Sequence, residues 1–393
     1  TDGDTIRFYT PEGNQAQSDH DVLLLVVDPV TTGLRMQNMS ADPGAATLSR
    51  VTGYFKIQRI EQNNFGFFNE PFGENIDHIV WGGFYTPPAA AGDDELVTSV
   101  NLTNLLVGVD VRLKVRVKGT KGAAIMNPTH HMRIKVNNTV VPGADVAFSD
   151  NNVNDFEFDL PSGYFVPGVN TITFQSMGDL SQGDYDFIYL DYYDLTYART
   201  WNAESDLVSV ESIGTGQYIT VDSFTDPNIL AFDTTSITNV TELSASSIVS
   251  NGSGGYKVSL LPPSTGDTRK IEILTSANLL QPISLELNIG SDLHSATNRA
   301  DVIYVGSAEL LSAVSPLVNL REEQGFITRK VDIESIYSEF GHGMRDDNAL
   351  KDFLNFALHS WQAPLAKYVI LVGDGSYDPK NALGYSRKNL LPI

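Results

Sequence analysis

Tyr368-Val-Ile-Leu-Val-Gly-Asp-Gly-Ser-Tyr-Asp-Pro-Lys-Asn381 is the stretch on which the fold turns. Its first part is a short, unbroken apolar run rich in β-branched residues, the composition of a strand buried on both faces of a parallel sheet. The run stops at Gly373 and passes into a loop holding Asp374, Gly375, Asp378 and Pro379. Residues of these types set tight backbone turns and offer carboxylates to free N–H groups. In open parallel sheets, chemistry gathers in such loops, at the carboxyl ends of the strands.

Upstream, Asp301-Val-Ile-Tyr-Val-Gly306 has the same build. Ser307 follows as a helix cap, and Leu310, Leu311, Val314, Leu317 and Val318 share one helical face. The pattern predicts one helix ending near Gly325, bent or displaced at Pro316. A second strand is expected over 326–333, then a turn, then a helix capped by Asp346 that carries Leu350, Phe353, Leu354, Ala357 and Trp361 on one side. With 368–373 as the third strand, the order is βαβαβ, which implies a parallel sheet with right-handed crossovers.

The first 300 residues read as sheet. Short β-rich runs at 5–9, 22–27 and 53–60 are separated by Pro, Gly, Asn and Asp. They suggest a first β domain over 1–92, closed by the Pro87-Pro-Ala-Ala-Ala-Gly92 linker. Over 93–200 the alternation is cleaner. Val111, Leu113, Val115 and Val117 interleave with Arg112, Lys114, Arg116 and Lys118, and Met132, Ile134 and Val136 with Arg133 and Lys135. A period of two marks strands with one buried and one wet face, so this domain is expected to be a jelly-roll-like β-sandwich. The six interleaved cations form either a solvated face or a docking surface for an acidic partner. Residues 201–290 read as a small β-rich connecting domain, and 291–393 as the α/β domain.

Composition narrows the function. The chain is 41% apolar, 19% charged and carries a formal net charge of −22 over 393 residues. It is a globular, acidic protein whose field repels phosphate backbones, which makes nucleic acid a poor partner. Calcium is the cation that suits such a surface, although the carboxylates are scattered rather than set at ligand spacing. No apolar run is long enough for a transmembrane segment. There is no cysteine, which removes disulfides, thiolate metal sites and any cysteine nucleophile from these residues. Thr1-Asp-Gly-Asp4 shows no charged-then-apolar leader, so a signal peptide is expected to have been removed or left out.

Of the histidines, His342 sits between glycines but precedes the third strand, and His359 lies on the predicted helix. His130 and His131 are adjacent in a sandwich turn and could reach a metal, while His20, His78 and His294 show no partner in the sequence. Asp374 and Asp378 remain as the candidates for shaping a cleft or binding a cation. Ser376 lacks the Gly-x-Ser-x-Gly setting of a hydrolase elbow.

The stretch 368–381, followed by Asn389-Leu-Leu-Pro-Ile393, resembles the strand, loop and next strand of the gingipain-like cysteine peptidases, a family that includes the type IX secretion C-terminal signal peptidases. Ala300-Asp-Val-Ile-Tyr-Val305, Arg321-Glu-Glu-Gln-Gly-Phe326, Val331-Asp-Ile-Glu-Ser-Ile-Tyr-Ser-Glu-Phe340, Arg345-Asp-Asp347 and Phe353-Leu354 follow that family in order. Asp4-Thr-Ile-Arg-Phe-Tyr9 and Gly33-Leu-Arg-Met36 are similar to the start of such proteins, so the likeness is dense after residue 300 and thin before it. The resemblance implies a caspase-like α/β fold in which a His and a Cys, both on strands after the Gly-Asp-Gly loop, attack a peptide carbonyl. It also implies a secreted or surface-exposed bacterial protein that acts on protein substrates and uses no catalytic residue from these 393 positions. The partner then expected is the remaining C-terminal half of the peptidase. The alternative is a non-catalytic secreted β-sandwich module for binding or surface assembly, using aromatics such as Trp81, Tyr85 and Trp201.

Overall fold

A computed structural model of the chain describes residues 6–10, 20–30, 33–44, 50–66, 78–87, 90–120, 127–149, 153–180, 185–210, 217–245, 247–263, 269–288, 290–385 and 389–391. Parts of the expected run 5–9 and of the linker 87–92 lie outside these residues. The chain divides into two compact units. One comprises Thr1–Thr10, Gly33–Phe65 and Ile79–Gln281; the other comprises Pro11–Thr32, Gly66–His78 and Pro282–Ile393.

The first unit holds two β-sandwiches. In one, an antiparallel sheet in the order Val153–Leu160, Val111–Thr120, Asp186–Arg199, Tyr54–Glu61 faces a second in the order Glu95–Leu102, Gly168–Ser176, His130–Val136, Thr139–Phe148. Val111, Leu113, Val115 and Val117 meet Met132, Ile134, Val136, Ile172 and Phe174 in one dry core, as the period-two alternation requires. The other sandwich packs the sheet Gln37–Ser40, Thr241–Ser244, Ile229–Asp233, Ile271–Thr275, Leu207–Val210 on the three strands Ile219–Phe224, Tyr256–Leu260 and Ile248–Ser250.

Strands from the expected first domain are therefore shared out. Gln37–Ser40 pairs with Thr241–Ser244, and both Tyr54–Glu61 and Gly82–Thr86 pair with Asp186–Arg199. Short strands bury a face only by joining a larger sheet, which accounts for this use of 33–86. Residues 22–27, expected as a strand, join no ladder among the described residues.

The interleaved cations are neutralised within the sheets. Register sets Arg112 opposite Asp159, Lys114 opposite Glu157 and Arg116 opposite Asp155, with closest ion-pair distances of 2.8, 3.8 and 2.8 Å. Arg133 pairs with Asp145 at 2.7 Å and Lys135 with Glu95 at 3.1 Å, while Lys118 is buried. The protein's own carboxylates occupy these cations, as a solvated face allows. The aromatics are also spent on packing: Trp201 is buried against Tyr54, Trp81 stacks on Tyr193, and the Tyr85 hydroxyl donates to Asp93.

The second unit carries a parallel sheet in the order Thr328–Asp332, Val302–Gly306, Tyr368–Val372. Asp301 ties its amino ends together. Its N–H donates to Ile327, its carbonyl accepts from Lys367 and Tyr368, and its carboxylate accepts from the Ile327 N–H. That backbone bond holds the Asp301 carboxyl below its usual range, aided by Lys367.

The predicted single helix is two, Ala308–Ala313 and Ser315–Glu323, because Pro316 cannot donate to the preceding turn and instead opens a new helix. The second strand ends at Asp332 rather than 333, and Ile333–Phe340 is a helix where a turn was expected. Asp332 caps it by accepting from the Glu334 N–H, and Ile333, Ile336 and Tyr337 form its buried face. Helix Asp347–Ser360 starts at the expected cap, Asp346, and buries Ala349, Leu350, Phe353 and Ala357.

Glu339 anchors the helix Ile333–Phe340 to the turn at 291–294. Partial burial raises its carboxyl, but hydrogen bonds from Ser291, from His294 and from the Leu293 and His294 N–H groups outweigh this and bring it below its ordinary value of 4.5. A carboxyl lowered on folding stabilises the fold above its unfolded pKa and loses that contribution as pH falls through the folded value. Acidification from pH 7 to below about pH 4 should therefore lower the urea midpoint of the second unit more in the wild-type chain than in Glu339→Gln. Equal losses would contradict this assignment.

Candidate active-site edge

Three strand ends lie in register at the carboxyl edge of the parallel sheet: Gly306, Asp332 and Val372. Gly306 is glycine for a steric reason, since a Cβ there would lie 2.4 Å from the Val372 carbonyl oxygen. Each strand end hands over to a distinct device. Ser307 precedes the helix Ala308–Ala313, Asp332 caps Ile333–Phe340, and Val372 leads into the loop that begins at Gly373.

That loop is tightly held. Gly373 has φ 145°, and a Cβ would press on Leu390 at 3.2 Å, so both backbone and space call for glycine. The Asp374 carbonyl accepts from the N–H groups of Leu390 at 3.0 Å and Leu391 at 3.3 Å. Asn389 accepts from the Ser376 N–H, and the Ser376 hydroxyl both donates to the Asp378 carbonyl and accepts from the Asp378 N–H. Residues 389–391 thus run against the loop, with Leu391 buried in the sheet core.

The two candidate aspartates separate in role. Asp378 is buried, and its two carboxylate oxygens accept from the Ala382 and Leu383 N–H groups at 2.7 Å each. These bonds commit it to the turn. Asp374 is exposed at the sheet edge and holds the loop through its carbonyl. Among the described residues no group of three His, Cys, Asp or Glu could hold a metal ion.

Replacing Asp378 by Ala should cost about 1–3 kcal/mol, the penalty of leaving buried N–H groups unpaired. Asp378→Asn, which keeps one acceptor, should cost less. Urea denaturation orders the three proteins, and an alanine variant as stable as wild type would refute the capping role.

Five of the histidines lie elsewhere. His342 is exposed at φ 53° in the turn that closes Ile333–Phe340, where the Gly341 and Gly343 N–H groups donate to the Tyr337 carbonyl. It is a surface-turn residue, remote in topology from the strand ends. His359 donates to the Asn355 carbonyl one helical turn back. His130 and His131 point to opposite sides of their strand rather than to one ion: His130 is buried 2.6 Å from Asp186, and His131 lies 2.7 Å from both Asp145 and Asp179. His294 pairs with Glu339 and stacks on Phe340.

One contact at the edge had no signal in the sequence. The His78 ring meets Tyr377 edge-on, 6.1 Å between centroids, from the far end of the chain. Asn389 was legible only as part of a following strand, although its side chain helps to hold the loop.

Residues 295–393 match the model of peptidase family C25. The fold is similar to that of dimeric latent PorU from Porphyromonas gingivalis, with a TM-score of 0.61 at 13% identity, covering 91% of this chain and 34% of that one. The present chain thus spans about a third of that relative's length. Tandem CBM51 modules of a family 98 glycoside hydrolase from Streptococcus pneumoniae align with a TM-score of 0.20 at 11% identity, over 46% of this chain and 76% of theirs, too weakly to bear on the fold. No curated protein sequence matches the chain. The arrangement expected from sequence, β-sandwiches followed by a caspase-like α/β region, is the one present.

Proposed function

We propose, from the premise that residues 295–393 are a gingipain-like segment of peptidase family C25, that the chain is the amino-terminal part of a secreted cysteine endopeptidase. Its His and Cys lie in polypeptide that follows Ile393. The observation that carries this reading is the Gly373–Asn381 loop, held at the carboxyl edge of a parallel sheet whose last strand, Tyr368–Val372, pairs on one side among the described residues.

Each part has a role in that chemistry. A cysteine thiolate attacks the scissile carbonyl, a neighbouring imidazole manages the proton, and backbone N–H groups hold the oxyanion. Such groups must be placed to within a fraction of an ångström. The bonds of Asp374, Ser376, Asp378 and Asn389 supply a stiff wall beside the next strand, and Asp374 is exposed on it. No described helix is long and apolar enough to cross a membrane.

The alternative, a non-catalytic binding or surface-assembly module, loses its main support because Trp81, Tyr85 and Trp201 are used in packing. The encoding gene separates the two readings. The peptidase reading expects the frame to continue past Ile393 into strands bearing a histidine and a cysteine. A stop codon there would refute it.

A further inference from the structure

Two stretches at the second unit have the sequence of strands but join no ladder among the described residues. In residues 281–288, Ile283, Leu285 and Leu287 alternate with Ser284, Glu286 and Asn288, yet the three apolar side chains are 85%, 84% and 88% exposed. Residues 22–27 are apolar throughout, with Val26 and Val27 at 76% and 91% exposure. Neither stretch belongs to a ladder among the described residues.

Both are anchored rather than loose, and to neighbouring points of one element. Asn288 donates to Ser338 on the helix Ile333–Phe340 at 2.8 Å. The Val22 N–H donates to the Met344 sulfur at 3.1 Å, in the turn that follows the same helix, and the Val22 side chain lies against Gly343. A row of wet aliphatic side chains is costly to leave in water, and a strand-like sequence outside any ladder is a template for strand addition. Apolar surface of this kind, spread over several segments of one unit, marks an interface.

Resting on the reading above, we infer that residues 22–27 and 283–287 are docking strands for the polypeptide that follows Ile393, which adds β-structure to both and covers their aliphatic rows. Three observations favour this occupant. Tyr368–Val372, with Tyr368 and Leu371 exposed, pairs on one side among the described residues and lies in the same unit, so the unit offers a further strand edge. The fold covers only 34% of the PorU chain, which leaves ample polypeptide for the purpose. The rows are aliphatic and carry few charges, as suits an interface formed within one folded chain rather than one that opens and closes. The amino-terminal segment would then help to bind the catalytic half as well as precede it.

Hydrogen exchange with peptide-level readout, on the full gene-encoded protein and on residues 1–393, tests this. The expected result is amides of 23–27 and 283–287 slowed by about 100-fold or more in the full protein and exchanging near the unprotected rate in the 393-residue chain. Fast exchange of both stretches in the full protein would overturn the inference and leave the peptidase reading intact. Protection that arises in the 393-residue chain and grows with its concentration would also overturn it, by identifying a second copy as the occupant. A gene that stops at Ile393 removes the peptidase reading itself, a result read from the gene and not from exchange.

Discussion

Incubated with mixed protein substrates and a reducing agent, the 393-residue chain is expected to cleave nothing in a manner that iodoacetamide abolishes. The argument is one of chemistry. Thiolate attack needs a cysteine, and the sequence contains none. Nor does another nucleophile take over: the Ser376 hydroxyl is engaged at 3.1 Å by the Asp378 backbone, His130, His131, His294 and His359 are held by partners away from the strand ends, and His342 lies in a surface turn. The corresponding effect in the full protein is large, since cysteine peptidases lose essentially all turnover with their nucleophile. Gel or mass-spectrometric assays of substrate cleavage, with and without alkylation, give the readout. Thiol-dependent cleavage by the purified 393-residue chain would refute this account.

The second large effect concerns the core that supports the site. Phe353 is fully buried in the helix Asp347–Ser360, edge-on to Phe340 at 5.6 Å and to Trp361 at 5.8 Å. The same core reaches Ile303 and Val305 on the central strand and Leu391 beneath the Gly373 loop. Phe353→Ala removes a ring that neighbours cannot replace, at a cost of about 3–5 kcal/mol. Because domains are stable by only about 5–15 kcal/mol, most of the stability of this unit would go. At tenfold per 1.4 kcal/mol, amides of Val302–Gly306 should exchange about two to three orders of magnitude faster. Those of Val111–Thr120, in the other unit, should be little changed. Unaltered exchange at 302–306 would show that Phe353 is not central to this core.

The parts of this structure that were legible in sequence are those where one local signal dominates. Strands at 302–306 and 368–372 announce themselves as β-branched runs ending at glycine, and Asp346 marks a helix that keeps a clean apolar face. The helix Ile333–Phe340 was hidden because β-branched Ile333 read as the end of the preceding strand and the residues after it as a turn. Its signal was nonetheless present: Asp332 as cap, and Ile333, Ile336, Tyr337 and Phe340 at helical spacing. Residues 22–27 misled in the opposite direction, since an apolar run specifies a wish for burial but not a partner.

At the site, the division of labour between Asp374 and Asp378 was not legible. Two aspartates in one loop look alike until backbone geometry shows that Ala382 and Leu383 aim their N–H groups at only one of them. The cations at 112–118, 133 and 135 look like a positive face until register sets carboxylates beside them. Both failures have one origin. A side chain's role depends on a partner that only the folded chain brings near.

The account stands or falls on where the reactive sulfur lies. Labelling the full gene-encoded protein with a thiol-directed active-site probe, then mapping the modified peptide and assaying cleavage, measures this directly. The predicted result is loss of proteolysis with the label on a cysteine that follows Ile393. Proteolysis that survives complete alkylation would contradict it.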